Sequence, residues 1–167
     1  MLAGYVNVDN EPSIESDIQC ELGRDRWPWP DSSVDEAIAS HVLEHLPGDE
    51  FFWFLRELYR VSKPGAKTRI TLPHPRHDIF LGDPTHCRPV MPGTMVMFSK
   101  HAVEGVAARG MSLTPFYKIH GVDFKFSDLE YQFDPSVNMS APDLEWQAKH
   151  LSNIIMEWSA TLTAVKC

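Results

Sequence analysis

Cysteine is scarce, with three in 167 residues, at Cys20, Cys87 and Cys167. That is too few and too scattered for a disulfide framework. A chain of this length buries roughly 70% of its unfolded surface without one. The three read as reduced thiols of a cytoplasmic protein. Positive charge is also in deficit. Lys and Arg number 15 against 23 Asp and Glu, a formal charge of −8. Nucleic-acid binding runs on clustered cations, so a phosphate backbone is excluded as the main partner. No apolar run approaches the ~20 residues of a membrane span, and residues 1–10 lack the basic start and apolar core of a signal peptide. The expectation is therefore a protein outside the membrane, secreted and collagenous classes. Hydrophobic residues make up 43% and charged residues 23%, which suits one globular domain over residues 1–167.

Gly4-Tyr5-Val6-Asn7-Val8-Asp9 reads as a short strand ending at Asp9, with Asp17 to Leu22 a weaker second. Trp27-Pro28-Trp29-Pro30-Asp31-Ser32-Ser33 is a loop. Val34 to Ser40 is a compact apolar run of the kind found in buried parallel strands. Ser40 to Leu46 holds helix formers, stopped by Pro47-Gly48. The spacing of Phe51, Phe52, Leu55, Leu58 and Tyr59 predicts a helix over Asp49 to Ser62, with Asp49 as N-cap and Arg56, Glu57, Arg60 and Lys63 on the outer face. Lys63-Pro64-Gly65 ends it, and Lys67 to Leu72 alternates as a strand. Val34 to Leu72 is thus one βαβ unit with parallel pairing. Pro73 to Pro92 is a long loop. Ser99 to Gly110 is a helix capped by Ser99. Leu113 to Phe116 and Phe124 to Phe133 are strand candidates, and Ile154 to Val165 alternates as a last strand.

His41-Val42-Leu43-Glu44-His45 has the H-x-x-E-H spacing of inverted zincins, and on a helix His41 and His45 would share one face. The segment follows a strand, however, and Pro47 comes two residues later, so a zinc hydrolase is only a remote alternative. No tightly held zinc is expected at His41 and His45. His74, His77, His86 and Cys87 match no tight ligand template, so no metal ligand is assigned. These loop histidines read better as substrate-contacting groups. A carboxylate at the carboxyl end of a strand, such as Asp9, can accept both hydroxyls of a ribose.

Several segments stand in order: Gly4 to Asp9; Trp27 to Glu36; Ala39 to Leu46; Glu57 to Ala66; and Gly82-Asp83-Pro84-Thr85-His86. Together they resemble class I S-adenosylmethionine-dependent methyltransferases of the small-molecule type, densely from Gly4 to about Ser99. The resemblance implies a Rossmann-like α/β fold, mostly parallel, with an antiparallel last strand. It implies that Asp9 binds the cofactor ribose and that Glu21 with Leu22 lies near the adenine amine. Ser40 and His41 would lie beside the methyl end. His41, His74 and His86 become candidate catalytic bases, and the substrate a small molecule.

The family carries a glycine-rich loop before the segment matching Gly4 to Asp9. The nine glycines here are scattered and form no such loop. The expectation is an N-terminally incomplete domain lacking the family's first strand and its helices, with S-adenosylmethionine binding weak or lost. The alternative is a catalytically inactive, methyltransferase-like interaction or structural protein. Without a shared neighbour, the strands at Gly4 to Asp9 and Val34 to Ser40 must pair directly or be covered by a second copy. The aromatic surface of Trp27, Trp29, Phe51, Phe52, Trp53 and Phe54 favours the second outcome, a homodimer.

Overall fold

The computed structural model describes residues 2–166, so the Cys167 thiol lies outside the described residues. Strand β1 (Val8–Asp9) pairs in parallel with β2 (Ile18–Gln19), giving a small sheet of two short strands. The loop through Trp27 and Trp29 leads to β3 (Val34–Ser40), which has the bounds the sequence predicts. A single 3-10 turn at Leu43–His45 follows. The helix formers of Ser40 to Leu46 make no α-helix, because Pro47 leaves the turn no room to propagate.

Helix α1 (Gly48–Val61) buries Phe51, Phe54, Leu55, Leu58 and Val61. Two details depart from the sequence reading. The N-cap is Pro47, with no side-chain cap bond, rather than Asp49. Glu57 lies on the buried side, held there by Arg60 and the Trp27 backbone N–H. Helix α1 passes directly into β4 (Ser62–Pro73), with Gly65 in the left-handed region at φ 80°. Strands β3 and β4 run parallel, from Glu36 opposite Lys67 to Ser40 opposite Thr71, so the βαβ unit stands.

The long loop contains α2 (Asp78–Leu81), and α3 (Pro92–Val96) follows it. Helix α4 (Lys100–Ala107) is capped by the Ser99 side chain, which accepts from the Ala102 N–H. Leu113 to Phe116 is not a strand: it is irregular until α5 (Phe116–His120) begins. Phe116 packs on Phe98 and His120 instead of entering a sheet, so tertiary contact overrides its strand propensity. Strand β5 (Phe124–Phe133), helix α6 (Leu144–His150) and strand β6 (Ile155–Ala164) complete the chain.

The main sheet has the order β3-β4-β6-β5. Strand β6 lies antiparallel to both β4 and β5 and sends Trp158, Ala160, Leu162 and Ala164 into the core. The fold is thus α/β with a mixed Rossmann-like sheet. No helix among the described residues is long and apolar enough to cross a membrane.

Strands β1 and β3 sit in different sheets and do not pair with each other. A groove of about 730 Å³ lies between them, lined by Val6, Val8, Asp9, Val34, Ala37 and Ile38 among others. Strand β3 is consequently not the buried strand its composition suggests, and Ile38 is 41% exposed. The aromatic residues behind the dimer expectation are mostly hidden within one chain. Trp27, Phe51 and Phe54 are buried, and Trp29, Phe52 and Trp53 are partly covered.

Candidate functional site

Strand ends position the candidate residues. Asp9 closes β1, Ser40 closes β3 and Pro73 closes β4. In an open α/β sheet, ligands gather outside such carboxyl ends. Asp9 lines the groove, and its Oδ1 accepts from the Glu11 N–H at 2.9 Å, which fixes the carboxylate at the turn. Leu22 lines the same groove, and its carbonyl accepts from the Trp27 indole at 3.1 Å. Glu21 is exposed and does not line it. Its carboxylate accepts from the Asn10 amide at 3.3 Å.

Ser40 is exposed at the strand end, and His41 follows with φ 53°. A left-handed non-glycine residue is strained, and such strain persists only where surroundings hold it. Here the His41 N–H donates to the Thr71 carbonyl at 2.9 Å, extending the β3–β4 ladder by one bond. The ring is pinned at both nitrogens. Nδ1 lies 3.2 Å from Glu44 Oε1, and Nε2 lies 3.3 Å from Glu157 Oε2. The left-handed backbone and the 3-10 turn remove the helical face that H-x-x-E-H zinc ligation needs. His41 and His45 are not paired as in an inverted zincin.

His74 and His86 sit apart from His41 in character. His74 is 3% exposed, and its Nδ1 accepts from the Arg76 N–H at 3.3 Å. Burial, aided by Arg76 and His77, pushes its pKa below the ordinary histidine value, so the ring is neutral at neutral pH. His86 stacks on Phe80 and places Nδ1 2.9 Å from the Phe80 carbonyl. The Asp83 carboxyl is held below its usual range by the Thr85 hydroxyl and backbone N–H.

The structure therefore splits the candidates into two groups. Asp9 and Leu22 belong to the groove between β1 and β3, while His41 and His86 gather around Glu44 beyond the end of β3. The sequence groups Glu44 with His41 only through the H-x-x-E-H spacing and gives no sign of Glu157 as a partner. Glu157 is a polar position in an alternating strand and carries no local signal. His77 likewise has a role with no local signature in the sequence. It is buried, caps α2 by accepting from the Ile79 N–H at 3.1 Å, and places Nε2 3.1 Å from Asp134. Glu157 also lines a polar recess of about 210 Å³ with Thr71, Tyr131 and Ser159.

Residues 5–70 match the family model described as a methyltransferase domain. A solved structure of a SAM dependent methyltransferase from Archaeoglobus fulgidus is similar over 93% of this chain and 74% of its own, with 18% identity and a TM-score of 0.61. A chain of the Haloferax volcanii complex containing the Trm112 methyltransferase activator is similar over 95% of this chain and 71% of its own, with 10% identity and a TM-score of 0.51. No curated protein sequence matches significantly.

Proposed function

We propose, for a chain that carries a methyltransferase domain over residues 5–70 on the class I S-adenosylmethionine-dependent methyltransferase fold, methyl transfer to a small-molecule acceptor. S-adenosylmethionine is the cofactor of this class, and when bound it supplies an electrophilic sulfonium methyl. The observation that carries the proposal is Asp9 on the wall of a groove of about 730 Å³ that reaches Ala39 and Val42, on either side of Ser40 and His41. That volume lies within the range of small-molecule sites.

Each residue has a distinct task in this reading. The Asp9 carboxylate accepts hydrogen bonds from the ribose hydroxyls. Leu22 packs against the adenine, and Glu21, which stands outside the groove wall, is assigned to its amine by the resemblance alone. Ser40 and His41 stand beside the reacting end, where holding the partners in line supplies much of the rate. The exposed His41 is the proposed catalytic histidine at the reacting end; its ring is held between Glu157 and Glu44, and one of these contacts must open before it takes the acceptor proton. His74 is buried and His86 partly buried, and both act as positioning residues for the loop behind it. The polar recess bounded by Glu157 is the proposed acceptor side. Cytoplasmic residence and homodimer formation belong to the same proposal.

The second reading, a methyltransferase-like interaction protein without catalysis, is favoured by one observation. Strand β3 turns an apolar, half-exposed flank into the groove, and no glycine-rich turn stands there among the described residues. Calorimetry with S-adenosylmethionine and S-adenosylhomocysteine separates the two. Methyl transfer predicts weak saturable binding, at about 100 μM or above, that is lost in Asp9→Ala. No heat with either ligand at millimolar concentration establishes the second reading.

A further inference from the structure

The turn after β3 and the loop through His86 bring together three groups that are distant in sequence. One ring nitrogen of His45, one of His86 and a carboxylate oxygen of Glu44 all lie within 4.8 Å of one another. Glu44 is 1% exposed, and its Oε2 has no hydrogen-bond partner. An unpaired oxygen on a buried carboxylate is costly and calls for a counter-group.

The hydrogen bonds around the two rings determine which atoms face the Glu44 carboxylate, whose Oε1 also lies 3.2 Å from His41 Nδ1. The Phe80 carbonyl can only accept, so at 2.9 Å the His86 Nδ1 carries the proton. That leaves Nε2 with its lone pair, 4.0 Å from Glu44 Oε1. The Thr85 hydroxyl donates to Asp83 Oδ1 at 2.6 Å, so its oxygen accepts at 3.0 Å from the His45 Nδ1–H. His45 thus also keeps its Nε2 lone pair free. The two imidazoles and the buried Glu44 carboxylate converge, with Asp83 Oδ2 also 3.8 Å from His86 Nε2. Each imidazole gives its other N–H to an oxygen, the arrangement that orients metal-bound histidines.

We propose that Glu44, His45 and His86 bind one divalent first-row transition ion, zinc in the first instance, with a remaining position open to water. Two imidazoles and a carboxylate are a three-ligand set typical of open zinc sites. This is not the H-x-x-E-H pairing of the sequence. His41 is excluded, because its two nitrogens already face Glu44 Oε1 and Glu157 Oε2. Cys87 is excluded as a ligand because its backbone N–H and its thiol both donate to the Glu44 carbonyl, at 3.0 and 3.5 Å. The ion would pin the long loop carrying His86 to the end of β3. The proposal does not rest on methyl transfer and holds for either reading of the function.

Zinc chloride titrated calorimetrically into the chelator-stripped full chain tests it. The expected result is one zinc per chain, with affinity falling by more than roughly tenfold in each of Glu44→Gln, His45→Ala and His86→Ala. The variant Cys87→Ser is expected to bind as the parent does. Cobalt(II) is expected to give visible d–d absorption in the parent that is lost in Glu44→Gln, a near-isosteric change that spares the fold should a histidine variant unfold. Zinc should raise the melting temperature of the parent and leave that of Glu44→Gln unchanged. No binding by the parent, unaltered binding in Glu44→Gln, or loss of binding in Cys87→Ser would each overturn the assignment.

Discussion

Glu57 and Arg60, one turn apart on α1, form an ion pair at 2.7 Å that points into the protein rather than out of it. Their side chains are only 8% and 16% exposed. Arg60 also donates to the Trp27 and Trp29 carbonyls and to Asp31. One cation therefore ties the proline-rich loop to the central helix.

Glu57→Ala is expected to cost about 2–4 kcal/mol, because it leaves the Trp27 N–H unpaired and Arg60 with only the exposed Asp31 as its counter-charge. Urea unfolding at neutral pH measures this. The pH dependence follows from the same pair. The Arg60 hydrogen bond, against the opposing effect of burial, holds the Glu57 carboxyl below its ordinary value. A depressed acid contributes stability that is whole above its unfolded value, about pH 4.3, and is lost as pH falls through the lower folded value. The parent should thus lose stability more steeply below that pH than Glu57→Gln. Equal slopes would show that the pair is not formed.

Leu55 is fully buried on the inner face of α1. Leu55→Ala is expected to cost roughly 2–5 kcal/mol by cavity formation. Chemical denaturation yielding a loss below about 0.5 kcal/mol would mean that this face does not pack as described.

His74 carries a pH dependence at a higher pH. Its folded pKa is lowered, chiefly by burial. The unfolded chain therefore takes up the proton first, near pH 6.5, and stability falls as pH drops below that value toward the folded one. His120, lowered by burial and by Arg56, acts in the same direction. Melting temperatures between pH 7 and pH 5 should decline in the parent and decline less in His74→Gln. A variant with the parental slope would refute the buried neutral ring.

The proposed homodimer is testable at the groove flank of β3. Ile38 is 41% exposed and lines the groove, so a second copy that covers this flank would bury it. Light scattering at tens of micromolar is expected to give about twice the 19.0 kDa chain mass. Ile38→Lys should return the monomer mass with unchanged circular dichroism. A parent that scatters as a monomer would remove the homodimer from the proposal.

Local periodicity carried most of the architecture. The apolar run at Val34–Ser40 names one element, the helical spacing after it and the alternation of β6 each name one element and its inner face, and short-range sterics are enough to realise them. The Ser99 cap is equally local. Relations between distant segments have no such signature. His41 meets Glu157 across 116 positions and His45 meets His86 across 41, because parallel pairing of β3 with β4 and antiparallel pairing of β4 with β6 bring their ends together. Glu57 reads as a surface residue until a guanidinium and a backbone N–H arrive to satisfy it inside. A period in the sequence specifies which face is apolar. Where a polar group can be buried depends on what the rest of the chain places opposite it, and that is decided only by the tertiary fold.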